Sequence, residues 1–541
     1  MKKNSFIEGT IIATIAIIFV KLLGALYVIP FYKIVGEEGG VLYTYAYNIY
    51  NLMLSISITG FPIAMSKLIS EYNTKKMEKT KEKTYKISRN IILVISIFSF
   101  FIVFCFAEVF GKIILGNITN GTSISDIAFV IRIVSFSLLI VPFLSITRGY
   151  LQGHNFMKEP STSQIIEQII RIFIVLVGSY LTIKVFNKSI TLGVGVALSG
   201  AFFGGLAAYI YLKLKIKKHK KEIVIEKPNN TLVETSIIIK KFISYSIPSI
   251  IISVAASIYD FTDMVLIIRA CTLIGYSSFD AELIASIISN WGVKICMIIT
   301  AVATAISMNV IPHMTEAFVK KNKKEMNDKF IQAITTTLVI SIPMSIGISI
   351  LSKPVYTVFY GESIYGPLIL KVVVFASLIA NLNTVINMCF IGLNEYKTIY
   401  ITNIIGILIN LALDIPLMLL FEKIGLFPVW GASFATIIGY SASFIICYII
   451  IKKKFNFNFK DLSTFIKKLI LPVLVMTIPL VIINHFINYD MINGIKNILI
   501  ILIYAFIGAI LYFIVGYLNG LFTIAFREDI ISKIINRVRR K

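Results

Sequence analysis

Charged side chains are scarce in this sequence. Only 15% of its 541 residues are charged, whereas 57% are apolar. A soluble domain of this length would need more polar side chains than these to cover its exterior. The composition therefore excludes a soluble globular protein and indicates a polytopic membrane protein.

Recognisable catalytic and cofactor-binding motifs are also missing. The five cysteines show no Cys-x-x-Cys spacing and the four histidines are scattered, so no metal site is predicted. The chain has no G-x-x-x-x-G-K-[ST] loop and no recognisable set of Ser, His and Asp. We therefore expect a transporter rather than an enzyme. We expect no cofactor, and we leave open whether a coupling ion or the membrane potential drives it.

Long apolar runs dominate the chain, and each could cross a hydrocarbon core of about 30 Å as a helix. They cover residues 6–30, 41–68, 90–110, 127–150, 161–184, 191–212, 241–268, 284–311, 331–352, 367–391, 398–421, 427–451, 469–487 and 497–522. Glu8 and Lys21 interrupt the first run, which we interpret as a retained helix rather than a signal peptide. The predicted fold is an all-α polytopic membrane protein with about 14 transmembrane helices.

Basic residues are concentrated in alternate loops. Of the 52 Lys and Arg residues, 39 lie on the side of Met1, eight lie in the loops of the opposite side, and five lie inside the runs. The positive-inside rule then places both termini in the cytoplasm of a bacterium, with the chain in the cytoplasmic membrane. The net charge of +24 reflects this topology and attraction to anionic lipid, rather than nucleic-acid binding.

A short motif recurs and predicts an internal repeat. Both Gly153–Lys158 and Gly392–Lys397 read G-x-N-x-x-K, each on the side of Met1 before a following run. Pro62 and Pro312, near the ends of the second and eighth runs, form a second pair. An even offset of six helices predicts two parallel six-helix lobes. The predicted division is an N-terminal lobe at 1–235, a C-terminal lobe at 236–455, and helices 13 and 14 with a basic tail at 456–541.

Two lysines lie deep inside predicted spans, where a charge costs about 2.5–3.5 kcal/mol. Lys21 and Lys294 have no acidic residue within one turn on their own helices. We interpret them as a cationic patch for an anionic head group, with a cross-helix ion pair, for example to Asp260, as the alternative. Asn48, Asn51 and Ser55 follow one face of the second span. They are candidates for the same substrate site, or for hydrogen bonds between helices.

Four further charged residues are candidates for a cavity lining or for ion pairs. Glu167 and Arg171 are spaced i, i+4 on the fifth span, which suits an ion pair within the helix. Asp260 and Asp263 lie nearer the end of the seventh span that is opposite to the Met1 side.

Several stretches together resemble a known family. They read VKLLGALYVIPFYKIVGEEGGVLYTYAYNIY, ITGFPIAMSKLISEYN, RGYLQGHNFMKEPSTSQIIEQIIR and VIPHMTEAFVKKN. They are similar to the polysaccharide-flippase branch of the MOP exporter superfamily, in particular its MurJ/YtgP and SpoVB group of Gram-positive bacteria. The resemblance implies two lobes around a cavity lined by helices 1, 2, 7 and 8, and a lipid-tail groove at helices 13 and 14. It also implies outward flipping of an undecaprenyl-pyrophosphate-linked precursor of the lipid II type, hence roles in peptidoglycan biosynthesis and cell shape.

The likeness carries over to one charged residue. Lys21 matches a position that is usually Arg in the family, whereas the later arginines of the best-known branch are absent from GALYVIP and NIYNLML. The implied partners are a lipid-linked anionic precursor and membrane lipids, and we expect a monomer. Two alternatives stay open: a cation-coupled drug exporter of the MATE type, and a sporulation or teichoic-type polysaccharide flippase.

Overall fold

The computed structural model describes residues 6–58, 60–116, 121–218, 231–487 and 495–527, and these form helices and short connections. The helices of the first part are α1 (Phe6–Leu26), α2 (Val28–Ile58), α3 (Gly60–Thr74), α4 (Glu78–Cys105), α5 (Ala107–Leu115), α6 (Ile124–Ser135), α7 (Ser137–Gly153), α8 (Lys158–Phe173), α9 (Ile190–Lys218), α10 (Thr235–Ile274) and α11 (Ser278–Ser286). Those of the second part are α12 (Gly292–Val319), α13 (Lys323–Ile350), α14 (Ser352–Tyr360), α15 (Gly366–Gly392), α16 (Tyr396–Lys423), α17 (Trp430–Phe455), α18 (Lys460–Phe486), α19 (Ile495–Leu518) and α20 (Leu521–Phe526). Three π-helical segments occupy Ile174–Gly178, Leu181–Val185 and Ile287–Trp291.

Every predicted span coincides with helix, which confirms the all-α membrane fold. Within the described ranges, 13 segments are long and apolar enough to cross a membrane. The number is one below the predicted fourteen because the first two predicted spans share the segment Ile15–Thr74. Large apolar side chains such as Leu502 and Phe506 are 59% and 68% exposed, as expected for a surface that faces lipid.

The internal repeat is visible in the helix bounds. Helices α4 and α5 correspond to α13 and α14 with a constant shift of 245 residues, from Glu78 to Lys323 and from Leu115 to Tyr360. The single residues that join each pair, Phe106 and Leu351, share nearly the same backbone angles (φ −92°, ψ 14° and φ −91°, ψ 21°). Local sequence therefore produces the same broken helix twice.

The two G-x-N-x-x-K segments also share one structure. Asn155 and Asn394 adopt positive φ angles of 63° and 56°. In each case the Asn amide donates to the carbonyl three residues earlier, and the next amide donates to the carbonyl five residues earlier. This is the Schellman ending of a helix, in which Asn tolerates the left-handed conformation.

A glycine before each Asn lets two helices approach closely. A Cβ on Gly153 would lie 2.8 Å from the Ser66 carbonyl oxygen, and one on Gly392 would lie 3.2 Å from that of Ile311. Ser66 and Ile311 are again 245 residues apart. Pro62 and Pro312 are therefore five residues out of register, although the repeat they suggested is supported by the glycine contacts.

The chain divides into two compact units, Met1–Asn290 and Trp291–Lys541. The boundary falls within the π-helical segment Ile287–Trp291. In the first unit, α3, α7 and α10 share an apolar core that includes Met65, Leu151 and Phe242. The division at 235 and 455 predicted from the repeat concerns chain segments rather than packing, and it stays a prediction.

Candidate functional site

A buried carboxylate between two arginines is the main charged cluster of the first unit. Glu167 Oε1 lies 2.6 Å from Arg171 Nη2, and Glu167 Oε2 lies 2.9 Å from Arg148 Nη2. The side chains of Glu167, Arg148 and Arg171 are 13%, 14% and 21% exposed. Arg148 Nε also donates to Ser163 Oγ at 2.8 Å. The ion pair predicted from the i, i+4 spacing is present, and Arg148 makes the cluster cationic by one charge.

Two glycines on α9 hold this cluster in place. A Cβ on Gly204 would lie 2.6 Å from the Glu167 carbonyl oxygen, and one on Gly200 would lie 2.9 Å from that of Arg171. The G-x-x-x-G spacing puts both glycines on one face of α9, so that its backbone packs directly against α8. The charged residues of α8 are thus fixed at one depth by small residues on the neighbouring helix.

A row of tyrosines on α2 faces the same arginine. Tyr43, Tyr47 and Tyr50 lie within electrostatic range of Arg171. The Tyr43 and Tyr47 rings stack with centroids 5.4 Å apart, and the Tyr47 and Tyr50 centroids are 6.2 Å apart. Their phenol groups surround the excess positive charge with polarisable side chains that carry no charge of their own.

Lys21 is half-buried on α1, and α1 packs along α8, the helix of Glu167 and Arg171. The structure thus brings the helix of one predicted substrate-binding lysine beside the predicted cluster. Asp260 is exposed and Asp263 is half-buried on α10, three residues apart, and the two carboxylates lie within electrostatic range of each other. An accessible acidic pair inside a span requires water or a polar surface around it.

The predicted polar face of α2 makes contacts between helices. Asn48 Nδ2 donates to Met264 Sδ at 3.1 Å on α10 and to Ser289 Oγ at 3.3 Å. Ser55 Oγ donates to the Leu52 carbonyl within α2, and Asn51 is half-buried. For Asn48, hydrogen bonding between helices is the structural alternative that this conformation contains.

Lys294 belongs to the second unit and is buried, with 6% of its surface exposed. Its Nζ lies 4.9 Å from the centroid of the Trp291 ring, a cation–π contact. The Trp291 carbonyl accepts a hydrogen bond from the Tyr360 hydroxyl at 2.8 Å, which holds the indole in place. The two predicted substrate-binding lysines therefore lie in different units.

The second unit contains an apolar groove of about 560 Å³ between α13, α14, α18, α19 and α20. Its lining includes Pro343, Gly347, Met476, Ala505 and Tyr512. This groove lies at predicted helices 13 and 14, where the resemblance implies a site for a lipid tail. Its apolar lining suits a hydrocarbon chain.

The C-terminal end of α20 is tied to α13 beside this groove. Gln332 Nε2 donates to the Phe526 carbonyl at 2.9 Å, and the Thr335 and Thr336 hydroxyls donate to the Ala525 carbonyl. These bonds satisfy carbonyl groups that a helix end leaves unpaired.

Sequence reasoning missed the role of Arg148. It was counted with the loop charges because the apolar run ends at Tyr150. The turn at Gly153–Lys158 does contain a signal, because an antiparallel helix pair places residues equally far from the turn opposite each other. Arg148 and Ser163 are each five residues from its ends, and Glu167 follows one turn later.

No group of three or more His, Cys, Asp or Glu side chains within the described ranges could hold a metal ion. The chemistry of the described polar residues is that of binding: charge, hydrogen bonding and aromatic contact.

Comparison with known proteins yields one family and several relatives. Residues 6–318 match the family described as "Polysaccharide biosynthesis protein". The chain is 33% identical to the lipid II flippase MurJ of Bacillus subtilis over 530 residues, 96% of each chain. It is 24% identical to the stage V sporulation protein B of Bacillus subtilis over 373 residues, 67% of this chain and 68% of the relative. A solved lipid II flippase MurJ in an inward closed conformation aligns with a TM-score of 0.64 at 20% identity, over 95% of this chain and 99% of the other.

Proposed function

This chain belongs to the polysaccharide biosynthesis protein family, in the flippase branch of the MOP exporter superfamily, and we propose that it flips a lipid-linked cell-wall precursor. It is a multi-pass bacterial membrane protein and a transporter rather than an enzyme. The cargo proposed is an undecaprenyl-pyrophosphate-linked saccharide of the lipid II type, moved from the inner to the outer leaflet by alternating access. The observation that carries this proposal is the 33% identity, over 96% of both chains, to a protein named for flipping lipid II.

The charged residues suit such a cargo. A pyrophosphate carries about two negative charges and cannot cross hydrocarbon unaided. Lys21, Lys294 and the cationic cluster at Arg148 and Arg171 would stabilise it during passage, and Asn48, Asn51 and Ser55 would contact its polar parts. The polyprenyl tail would stay in the lipid and in the apolar groove of the second unit. In this proposal the head group displaces contacts such as those of Asn48 with Ser289.

Orientation and assembly complete the proposal. The distribution of Lys and Arg supports cytoplasmic termini, so the lysine-poor loops face outward. The chain acts as a monomer, because both lobes of the repeat lie in one polypeptide. A coupling ion or the membrane potential supplies the energy, and no cofactor takes part.

A MATE-type exchange of a cation for a cationic drug fits the first unit less well. The buried carboxylate of Glu167 already contacts two arginines, so the cluster repels rather than attracts an organic cation. A sporulation-type or teichoic-type flippase would use the same chemistry with a different saccharide, and only the cargo would differ.

Reconstitution tests the proposal directly. The purified chain is placed in vesicles with a fluorescent lipid II analogue, and an impermeant quencher measures its movement between leaflets. We expect protein-dependent movement of this lipid and no efflux of a cationic dye. Movement of another polyprenyl-linked saccharide alone would change the cargo, movement of none would refute the flippase, and dye efflux would favour the exporter.

The lysine roles are tested in the same vesicles. The Lys21→Ala, Lys294→Ala double variant should move the lipid at least about tenfold more slowly, because charged hydrogen bonds contribute about 1.5–3 kcal/mol each. Lys371→Ala is the matched control, because this lysine also lies in a predicted span but is exposed. A double variant that works at the full rate would refute the role of the two lysines.

A further inference from the structure

The start of the eighth predicted span is buried against the first unit. Residues 281–290, which comprise most of α11 and most of the π-helical segment, are all buried. The boundary between the two compact units follows directly, at Asn290 and Trp291. The helix therefore belongs to one unit before its π-helical turn and to the other after it. π-helical turns within α-helices are frequent at functional sites.

A buried carboxylate on α11 anchors this segment. Glu282 has no exposed surface, and both of its oxygens accept hydrogen bonds. Oε1 accepts from the Thr122 backbone amide at 2.9 Å, and Oε2 accepts from the Tyr45 hydroxyl at 3.0 Å and from the Thr122 hydroxyl at 2.5 Å. Tyr45 belongs to α2, and Thr122 belongs to the connection before α6. Each described donor is neutral, so these three hydrogen bonds offset the cost of burying the charge.

Two more hydrogen bonds continue the contact along the same helix. Ser289 Oγ accepts from Asn48 Nδ2 at 3.3 Å, and Asn290 Nδ2 donates to Thr44 Oγ1 at 3.1 Å. Glu282, Ser289 and Asn290 thus all contact α2, over about 12 Å of helix at 1.5 Å per residue. Glu282 lies at the lysine-poor end of this row, since α11 follows the connection after Arg269.

We propose that Glu282 is the central residue of a latch that holds the lysine-poor end of α11 closed against α2, and that its release opens this end. The argument rests on the proposed function for the passage that is opened. The latch itself is a property of the contacts of Glu282, Tyr45 and Thr122. The π-helical turn after α11 is the hinge about which the segment swings.

Hydrogen bonds suit a contact that must open repeatedly. When an apolar contact opens, it loses the whole free energy of burial, because water restores none of it. When a hydrogen-bonded contact opens, water replaces each partner, so each bond contributes only about 0.5–1.5 kcal/mol net. A carboxylate also serves three donors at once, whereas the amide of Gln would present its NH₂ group to a donor. Glu282 therefore combines specific closure with a small cost of release.

A native cysteine reports the opening. Cys271 is buried at the end of α10, within electrostatic range of Asp280 at the start of α11. In a Cys105→Ser background, which removes the exposed thiol, the full chain in lipid nanodiscs is treated with an impermeant maleimide. Mass spectrometry then gives the labelling rate of Cys271. We expect Glu282→Gln to raise this rate about tenfold, since it weakens bonds to a charged group.

Matched tyrosines test the specificity of the latch. Tyr45→Phe removes one bond to Glu282 and should raise the Cys271 labelling rate about threefold. Tyr43→Phe is the control, because Tyr43 lies on the same helix and is also buried, but its hydroxyl contacts Tyr27 at a distance of 3.2 Å. Equal rates for the two tyrosine variants would overturn the proposal.

General unfolding is distinguished by a second buried thiol. Cys389 lies within α15 and has no exposed surface, so it should stay unlabelled in every variant. Unchanged Cys271 labelling in the folded Glu282→Gln and Tyr45→Phe variants would refute the latch, and joint labelling of Cys389 would assign the effect to unfolding and refute it equally. The assay uses no cargo. A chain that shows the expected labelling but flips no lipid would keep the latch and lose the proposed function.

Discussion

Replacing the carboxylate of the buried charge cluster is the sharpest test of how the first unit holds charge inside the membrane. Glu167→Gln keeps the size of the side chain but leaves Arg148 and Arg171 without their anion. The amide oxygen can still accept from one arginine, while its NH₂ group faces the other. Because the three side chains are only 13–21% exposed, water compensates poorly. Breaking a buried ion pair costs about 3–5 kcal/mol, and we expect the lower end of that range.

An ion pair outside this cluster provides the matched control. Glu108 and Arg132 are separated by a similar distance of 2.9 Å, but their side chains are 58% and 38% exposed. Exposed pairs contribute about 0.2–1 kcal/mol, so Glu108→Gln should cost at most about 1 kcal/mol. The free energy of unfolding is measured for both variants by titration with SDS in mixed micelles, with circular dichroism as the signal.

A double variant separates charge from packing. Arg148→Gln with Glu167→Gln restores the net charge of the native cluster, so its cost should fall below the sum of the two single costs by about 0.5–3 kcal/mol. The reasoning fails if Glu167→Gln costs no more than Glu108→Gln, because the cluster would then be as well solvated as the exposed pair.

Three further predictions concern close packing, the C-terminal helix and the groove. Gly153→Ala should lower the free energy of unfolding by about 1–3 kcal/mol because its Cβ would meet a neighbouring helix, whereas Gly347→Ala, with nothing within 4 Å, should not destabilise in the same titration. Arg527→Gln should raise hydrogen exchange in α20 severalfold, because Arg527 bonds to two aspartates, and unchanged exchange would contradict that anchor. Ala505→Trp should fill the groove and slow lipid movement in vesicles severalfold, whereas Ile503→Trp, at a 55% exposed position on the same helix, should not; equal rates would exclude the groove from transport.

The sequence was sufficient for the parts of the site that depend on neighbours along the chain. The Glu167–Arg171 pair followed from a spacing of four residues on one helix, and the repeat followed from the G-x-N-x-x-K turns. The correct register of 245 residues did not, because helix bounds and glycine contacts define it more precisely than Pro62 and Pro312. Arg148 was missed because an apolar run ends beside it, although the turn that follows places it opposite Ser163.

By itself, the amino-acid sequence determined the membrane class, the fourteen spans and the family likeness, because hydrophobic burial and helix formation act on consecutive residues. Only the tertiary structure showed that Glu282 contacts Tyr45 and Thr122, which lie 237 and 160 residues away. No local pattern encodes such a pair, since any polar residue on a facing helix could serve as the donor. Lys294 likewise had the composition of an exposed cation in a cavity, and only packing revealed the indole of Trp291 beside it.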